Sequence, residues 1–234
     1  MNEIISGDLT IFEKSAFRMN MKKCILLVLI ICSQFSGNAQ MITPKSTFNV
    51  ELGLPNTLAN KPFSSMIQGL LNVGMYYQYA FDNSLAIGGG VRYSFFEVNQ
   101  FKVPEPIDGG VHSTGAFVKV SREKFHSDRF GTDMGVKFGY TMNLFSTDLN
   151  KSLGQNPQTV NATYIEPCIG LVLSADEFTS YRLHIGYAIQ GYGFRPDRLG
   201  TQMDGGYDPN QFSKPTQYLV VGFGFTYYFK GKTQ

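Results

Sequence analysis

The chain has 234 residues, with 20 Lys and Arg against 18 Asp and Glu, so it offers no electrostatic footing for nucleic acid. Its length suits one domain, and three cysteines are too few for a disulfide scaffold. It has no succession of long apolar runs, which excludes a helical membrane bundle; a barrel stays open, because only alternate barrel residues face lipid and hydropathy averages away.

From Met21 the chain reads MKKCILLVLIICSQFSGNAQ. Lys22 and Lys23 form a basic start, residues 24–32 an apolar core too short to cross a bilayer as a helix, and Gly37, Asn38 and Ala39 a small-residue exit. This layout predicts a signal peptide over 21–39, cleaved between Ala39 and Gln40, and a barrel domain over 40–234. No role is read from residues 1–20, and translation is expected to begin at Met21. Ile31 stands where lipidation at Cys32 would need a small residue. Removing residues 1–39 takes four basic residues (Lys14, Arg18, Lys22, Lys23) from 20 and three acidic ones (Glu3, Asp8, Glu13) from 18, leaving 16 against 15. Cys168 is then the single remaining cysteine, so no internal disulfide is expected.

Eight segments alternate between bulky apolar residues and small or polar ones, the period-two signature of a strand with two unlike faces. The first, 46–54, sets Phe48, Val50, Leu52 and Leu54 against Asn49, Glu51 and Gly53. The second, 71–81, sets Met75, Tyr77, Tyr79 and Phe81 against Gly74, Tyr76 and Gln78, and Asp82-Asn83-Ser84 then makes a tight turn. The third, 85–96, opposes Ile87, Val91, Tyr93 and Phe95 to Gly88, Gly90, Arg92 and Ser94. In the fourth, 113–121, Ala116, Val118 and Val120 face lipid and Phe117 and Lys119 the inside, unless a bulge reverses part of it. The fifth, 132–144, opposes Val136, Phe138 and Tyr140 to Asp133, Lys137 and Thr141. The sixth, 162–174, opposes Ile165, Ile169 and Leu171 to Tyr164, Glu166 and Cys168, with a bulge or bend expected at Pro167. The seventh, 180–192, opposes Tyr181, Leu183, Ile185 and Tyr187 to Arg182, His184 and Gln190. The eighth, QYLVVGFGFTYYF at 217–229, is the most regular and about long enough to cross a bilayer when tilted.

Links after strands one, three, five and seven are long (55–70, 97–112, 145–161, 193–216), and those after two and six are short (82–84, 175–179). Short turns at one end and long loops at the other are the habit of outer-membrane barrels; the link 122–131 departs from it, so strands four and five are expected to extend there. Tyr79, Phe81, Tyr227 and Phe229 would form an aromatic girdle at the periplasmic boundary and Tyr93 and Phe95 one at the outer boundary. A secreted lipocalin-like barrel is the alternative, but it turns its apolar face inward, and eight strands enclose too little room for so many large side chains. The reading is an all-β protein, an eight-stranded antiparallel up-and-down transmembrane β-barrel, located in the outer membrane of a Gram-negative cell.

The ending Gly224, Tyr227, Phe229 resembles the insertion signal of outer-membrane barrels, with five residues following where the signal usually stops. With the signal peptide, strand count and loop asymmetry, the chain resembles the small porin-like outer-membrane barrels of the OmpX, OmpA-barrel and PorT type. That resemblance implies a structural, adhesive or binding barrel, inserted by the barrel-assembly machinery and presenting outer loops to an extracellular or envelope partner; a monomer is expected. Some members modify lipid, using a His-x-Ser pair followed by Asn. Here Arg182-Leu183-His184-Ile185-Gly186 places Gly186 where the nucleophile belongs, and His112-Ser113 lacks the spacing and the Asn, so no enzyme is expected. Asp197, Asp204 and Asp208 in the last loop match no calcium-loop spacing, so neither metal nor cofactor is expected. Tyr192, Phe194, Tyr207 and Phe212 in that loop suit a partner surface or a lid.

The inward faces carry Glu51, Arg92, Lys119, Asp133, Lys137, Glu166 and Arg182. A buried charge must be paired or watered, so a lumen ion network is expected, centred on Glu51, Arg92, Lys137, Glu166 and Arg182, with Arg92 against Glu166 or Glu51 as the leading pair. Such a network would plug the barrel.

Overall fold

The computed structural model describes residues 45–103, 107–201 and 207–229. The signal peptide, its cleavage site and residues 1–20 lie outside that range.

Eight strands close into an antiparallel barrel in sequence order, and the first pairs with the last. They are β1 Ser46–Ala59, β2 Ile67–Ala80, β3 Leu85–Val98, β4 Gly109–Phe125, β5 Phe130–Thr147, β6 Gln158–Ser174, β7 Thr179–Gly193 and β8 Pro215–Tyr228. Between β1 and β2 lies α1, Lys61–Met66; α2, Asp148–Ser152, follows β5; a short 3₁₀ turn, Pro196–Leu199, and α3, Pro209–Phe212, precede β8.

The alternation read from the sequence sets the two faces. Leu52, Met75, Ile87, Val118, Phe138, Ile169, Leu183 and Phe223, one from each strand, are 44 to 70 % exposed and point outward. A surface of Leu, Ile, Val and Phe around the whole circumference is intolerable in water over such an area, and it marks a membrane belt. The inward face carries the buried polar residues, the reverse of a lipocalin-like barrel. Tyr77, Tyr79, Phe81, Tyr227 and Phe229 form an exposed aromatic cluster where the turns are, with ring centroids 5.4 to 6.0 Å apart.

Several boundaries differ from the sequence reading. β4 and β5 reach Phe125 and Phe130, so the link between them shrinks to a four-residue turn and the short-turn rule holds at that end throughout. β4 keeps one register along both neighbours, without the bulge entertained for it. Pro167 causes no bulge either. It faces Val136 in unbroken register, and toward β7 the pairing lapses only between Ile165 and Cys168 before resuming in the same register, as a residue without an N–H allows. Register shifts occur instead near the loop end, between Thr57 and Ala59, Gly69 and Leu71, and Gln190 and Gly193. The long loops are shorter than expected because strands and helices occupy much of them.

Candidate functional site in the barrel lumen

Eight charged side chains lie inside the barrel, each between 1 and 5 % exposed: Arg92, Lys119, Lys137 and Arg182 against Glu51, Glu123, Asp133 and Glu166. Four cations face four anions, so the described lumen is neutral overall. Room for them comes from inward glycines. A Cβ on Gly186 would stand 2.7 Å from Glu166 Oε1, and one on Gly224 would stand 3.3 Å from Glu51 Cγ.

Lys137 on β5 is the hub. Its Nζ donates to Glu51 Oε2 of β1 at 2.6 Å and to Glu166 Oε1 of β6 at 2.9 Å. Tyr76 donates its hydroxyl proton to Glu51 Oε1 at 2.9 Å and accepts from Lys119 Nζ at 3.0 Å. Lys119 reaches Asp133 Oδ2 at 2.6 Å, and Arg182 joins Asp133 to Glu123, the latter at 3.3 Å. Toward the loop end, Glu166 accepts from Tyr164 and lies 3.6 Å from Arg92. Arg92 Nη2 donates to Asn72 Oδ1, Ser94 Oγ and Tyr218 OH at 2.7 to 2.8 Å, and its guanidinium lies 4.0 Å above the Tyr164 ring. Charge-assisted bonds of this kind are the strong ones, and their partners hold each ion in a fixed place.

All five residues of the expected network therefore lie in one connected cluster, with Arg92 beside Glu166 and Glu51 taken by Lys137. Glu123 lies outside the expected set, since the expected fourth segment ends at Ser121 and β4 continues to Phe125. His184, also inward, has no hydrogen-bond partner on either ring nitrogen.

Apolar layers lie above and below the ions. At the loop end Phe63 of α1, Phe96, Phe145, Tyr192, Phe194, Leu199 and Tyr218 pack into one buried cluster. Phe63 meets Phe96 and Phe194, each at 5.4 Å between centroids, and Phe96 meets Tyr218 at 5.0 Å. Asn60, buried and in the left-handed region at φ 67°, caps α1 by accepting from Phe63 N at 3.2 Å. Its amide donates to Lys214 O at 2.9 Å and to Gln211 O at 3.3 Å, tying the first loop to the last. On the other side Thr147 Oγ1 donates to Leu199 O at 2.8 Å and Asn150 Nδ2 to Arg198 O at 2.9 Å. Arg198 lies over the Phe145 and Tyr192 rings, and burial lowers its pKa from the ordinary arginine value. At the turn end Phe125, Val172 and Tyr228 form a smaller cluster.

The partner-surface reading of the last loop fails for Tyr192 and Phe194, which are buried in the mouth as a lid would be. Asp197 pairs with Arg195 at 3.0 Å, Asp208 caps Asn210 N at 2.9 Å, and Asp204 lies outside the described residues. His112 points outward, stacked on Phe95 and bonded to Tyr93 OH at 2.8 Å, while Ser113 points inward to Gln190, so these two face opposite sides of the wall. Of the expected insertion signal, Tyr227 and Phe229 are exposed on the belt side, and Gly224 faces inward beside Glu51.

A closed eight-stranded barrel with an apolar exterior and a neutral, ion-paired interior is a transmembrane β-barrel of the outer-membrane type. Among solved structures it is similar to Neisserial surface protein A (NspA), with a TM-score of 0.54 and 11 % identity over 79 % of this chain and 97 % of that one. It is also similar to the attachment invasion locus protein Ail of Yersinia pestis, solved with the heparin analogue sucrose octasulfate, with a TM-score of 0.43 and 12 % identity over 79 % of this chain and 99 % of that one. At 11 % identity the likeness to NspA is one of fold. No protein-family model and no curated protein sequence matches the chain.

Proposed function

We propose that this protein is a closed structural barrel of the outer membrane that presents a rigid loop end for contact outside the cell, and that it is neither a general diffusion pore nor an enzyme. The observation that carries this is the neutral set of eight buried charges held between two apolar layers. A lumen of eight strands is just wide enough for side chains to fill, and charges bound to one another leave no continuous polar path for solutes. The loops clasped by Asn60, Thr147 and Asn150 form a platform fixed to that scaffold, where recognition commonly resides. Planar-bilayer recording tests the reading: the wild type is expected to be electrically silent, and steady large conductance would overturn it.

In this reading the chain is exported by residues 21–39, inserted as a monomer by the barrel-assembly machinery through the ending at Gly224, Tyr227 and Phe229, and needs no cofactor. The intact mass of protein from the envelope should correspond to a start at Gln40. A retained Met21, or a start at Cys32, would refute that processing.

A further inference from the structure

At the turn end, the outward rows of β2, β3, β5, β6 and β8 finish in apolar or aromatic residues, Tyr79, Leu85, Phe130, Leu173 and Tyr227, all 39 to 55 % exposed; β7 starts with Thr179, whose hydroxyl donates to Asp176 Oδ2 at 2.7 Å, followed outward by Tyr181. β1 starts with Ser46, whose hydroxyl accepts from Tyr77 OH at 2.9 Å, and Lys45 before it pairs with Asp82 at 3.3 Å. β4 alone differs. Its outward row runs Ala116, Val118, Val120, then Arg122 and Lys124, and His126 follows in the turn. The girdle is thus interrupted at one strand by cations, at the depth where acyl chains give way to headgroups.

The local structure holds that row still. His126 N donates to Phe130 O at 2.8 Å, and Ser174 N to Arg129 O at 2.7 Å, which fixes the hairpin to β6. Glu123 N donates to Ser84 O at 3.2 Å, which fixes it to the neighbouring turn. His126 Nε2 shares a hydrogen bond with Thr132 Oγ1 at 3.0 Å. Arg122 and Lys124 are half-buried and each has a partner in the structure as well; long basic side chains in such positions cover apolar surface with their stems. The nearby strand carboxylates, Glu123 and Asp133, point inward to Arg182.

We propose that Arg122 and Lys124, with His126 beside them, form a site for the phosphate of an anionic phospholipid in the leaflet next to the turns. This rests on the membrane-barrel reading. Two cations two residues apart on one strand face lie about 7 Å from each other, close enough to flank one headgroup. Arg supplies a planar fork for phosphate oxygens and Lys a compact charge, and basic residues at such a depth draw anionic lipid. The occupant is a headgroup phosphate because the same row continues directly into lipid-facing Val120 and Val118.

The test uses the whole folded protein in nanodiscs of phosphatidylcholine with a minor fraction of phosphatidylglycerol, followed by native mass spectrometry of retained lipid. The wild type and Lys45→Gln, another turn-end cation, should retain phosphatidylglycerol in preference. Arg122→Gln with Lys124→Gln should lose roughly tenfold of that preference. Equal retention by the double variant, or no preference in the wild type, would overturn the site. Should the double variant fold poorly, a photoactivatable phosphatidylglycerol on the wild type decides: adducts should concentrate on residues 116–134, and an even spread around the barrel would sink the proposal. Heat-modifiable, membrane-resident protein is scored separately, so failure of the barrel reading is distinguishable from failure of this site.

Discussion

Lys137 shows how the lumen balances desolvation against pairing. Taking an ammonium out of water costs several kcal/mol, and mutual attraction repays it only where geometry is good and the remaining polar groups find partners. Here the ammonium bridges Glu51 and Glu166 at 2.6 and 2.9 Å, and each carboxylate has a tyrosine hydroxyl as well, from Tyr76 and Tyr164. Lys137→Met should therefore destabilise the barrel by about 3–5 kcal/mol, because it leaves two buried carboxylates facing each other without their shared cation. The loss should appear as a lower urea midpoint in lipid vesicles, and Glu51→Gln in the same background should restore part of it. An unchanged midpoint would mean the charges are solvated individually. The inward position of Glu51, Arg92, Lys137, Glu166 and Arg182 was legible because period-two alternation assigns each residue a face. Arg92 beside Glu166 matches the expected leading pair, but the Lys137 bridge was not legible, since Lys137 and Glu51 come from strands on different parts of the wall, and barrel shear sets which depths meet.

At the scale of the element, β8 was legible almost residue for residue, and it carries the sharpest test of the membrane belt. Phe223 is 70 % exposed, between Leu52 of β1 and Leu183 of β7 in the ladder, so its outward neighbours are apolar on both sides. Phe223→Arg places a charge in hydrocarbon, which costs about 2–4 kcal/mol near the midplane. The yield of heat-modifiable, membrane-resident protein should fall, and a normal yield would count against the barrel. The loop end was far less legible than β8. The continuation of β1 to Ala59 passes through Leu54-Pro55-Asn56, where proline interrupts the expected pattern, yet Pro55 still pairs with Val220. Asn60 and Phe63 carried no periodic signal either, since one works through a left-handed backbone and the other through a six-residue helix. Glu123 and Phe125 were lost for a related reason, because the charged run Arg122-Glu123-Lys124 resembles a solvated link while alternating between the rim and the lumen.

Across the whole molecule, three layers lie in series within the lumen, and the proposed closure rests on all of them: the aromatic stopper under the loops, the ion layer, then Phe125, Val172 and Tyr228 above the turns. Each layer rests on different physics. The stopper depends on apolar burial and on neutral hydrogen bonds from Asn60, Thr147 and Asn150, while the middle depends on charge pairing. A series arrangement predicts that breaching one layer alters stability before it alters permeability. Arg92→Ala removes the cation beside Glu166 and the donor to Asn72, Ser94 and Tyr218, yet leaves Phe63, Phe145 and Phe194 above it. Phe194→Ala does the converse, at about 3–5 kcal/mol for a large buried aromatic. Each single variant should therefore melt earlier while passing little or no current in a planar bilayer. Arg92→Ala combined with Phe194→Ala should leak, because one gap then extends from the mouth to the Lys137 pairs, and only those remaining ion pairs and the small turn-end cluster lie beneath it. Full conductance from Arg92→Ala alone would place the whole seal in the ion layer and remove the aromatic stopper from the account. A silent double variant that still lost heat stability would place the seal below Arg92, in the Lys137 and Arg182 ion pairs and the cluster of Phe125, Val172 and Tyr228.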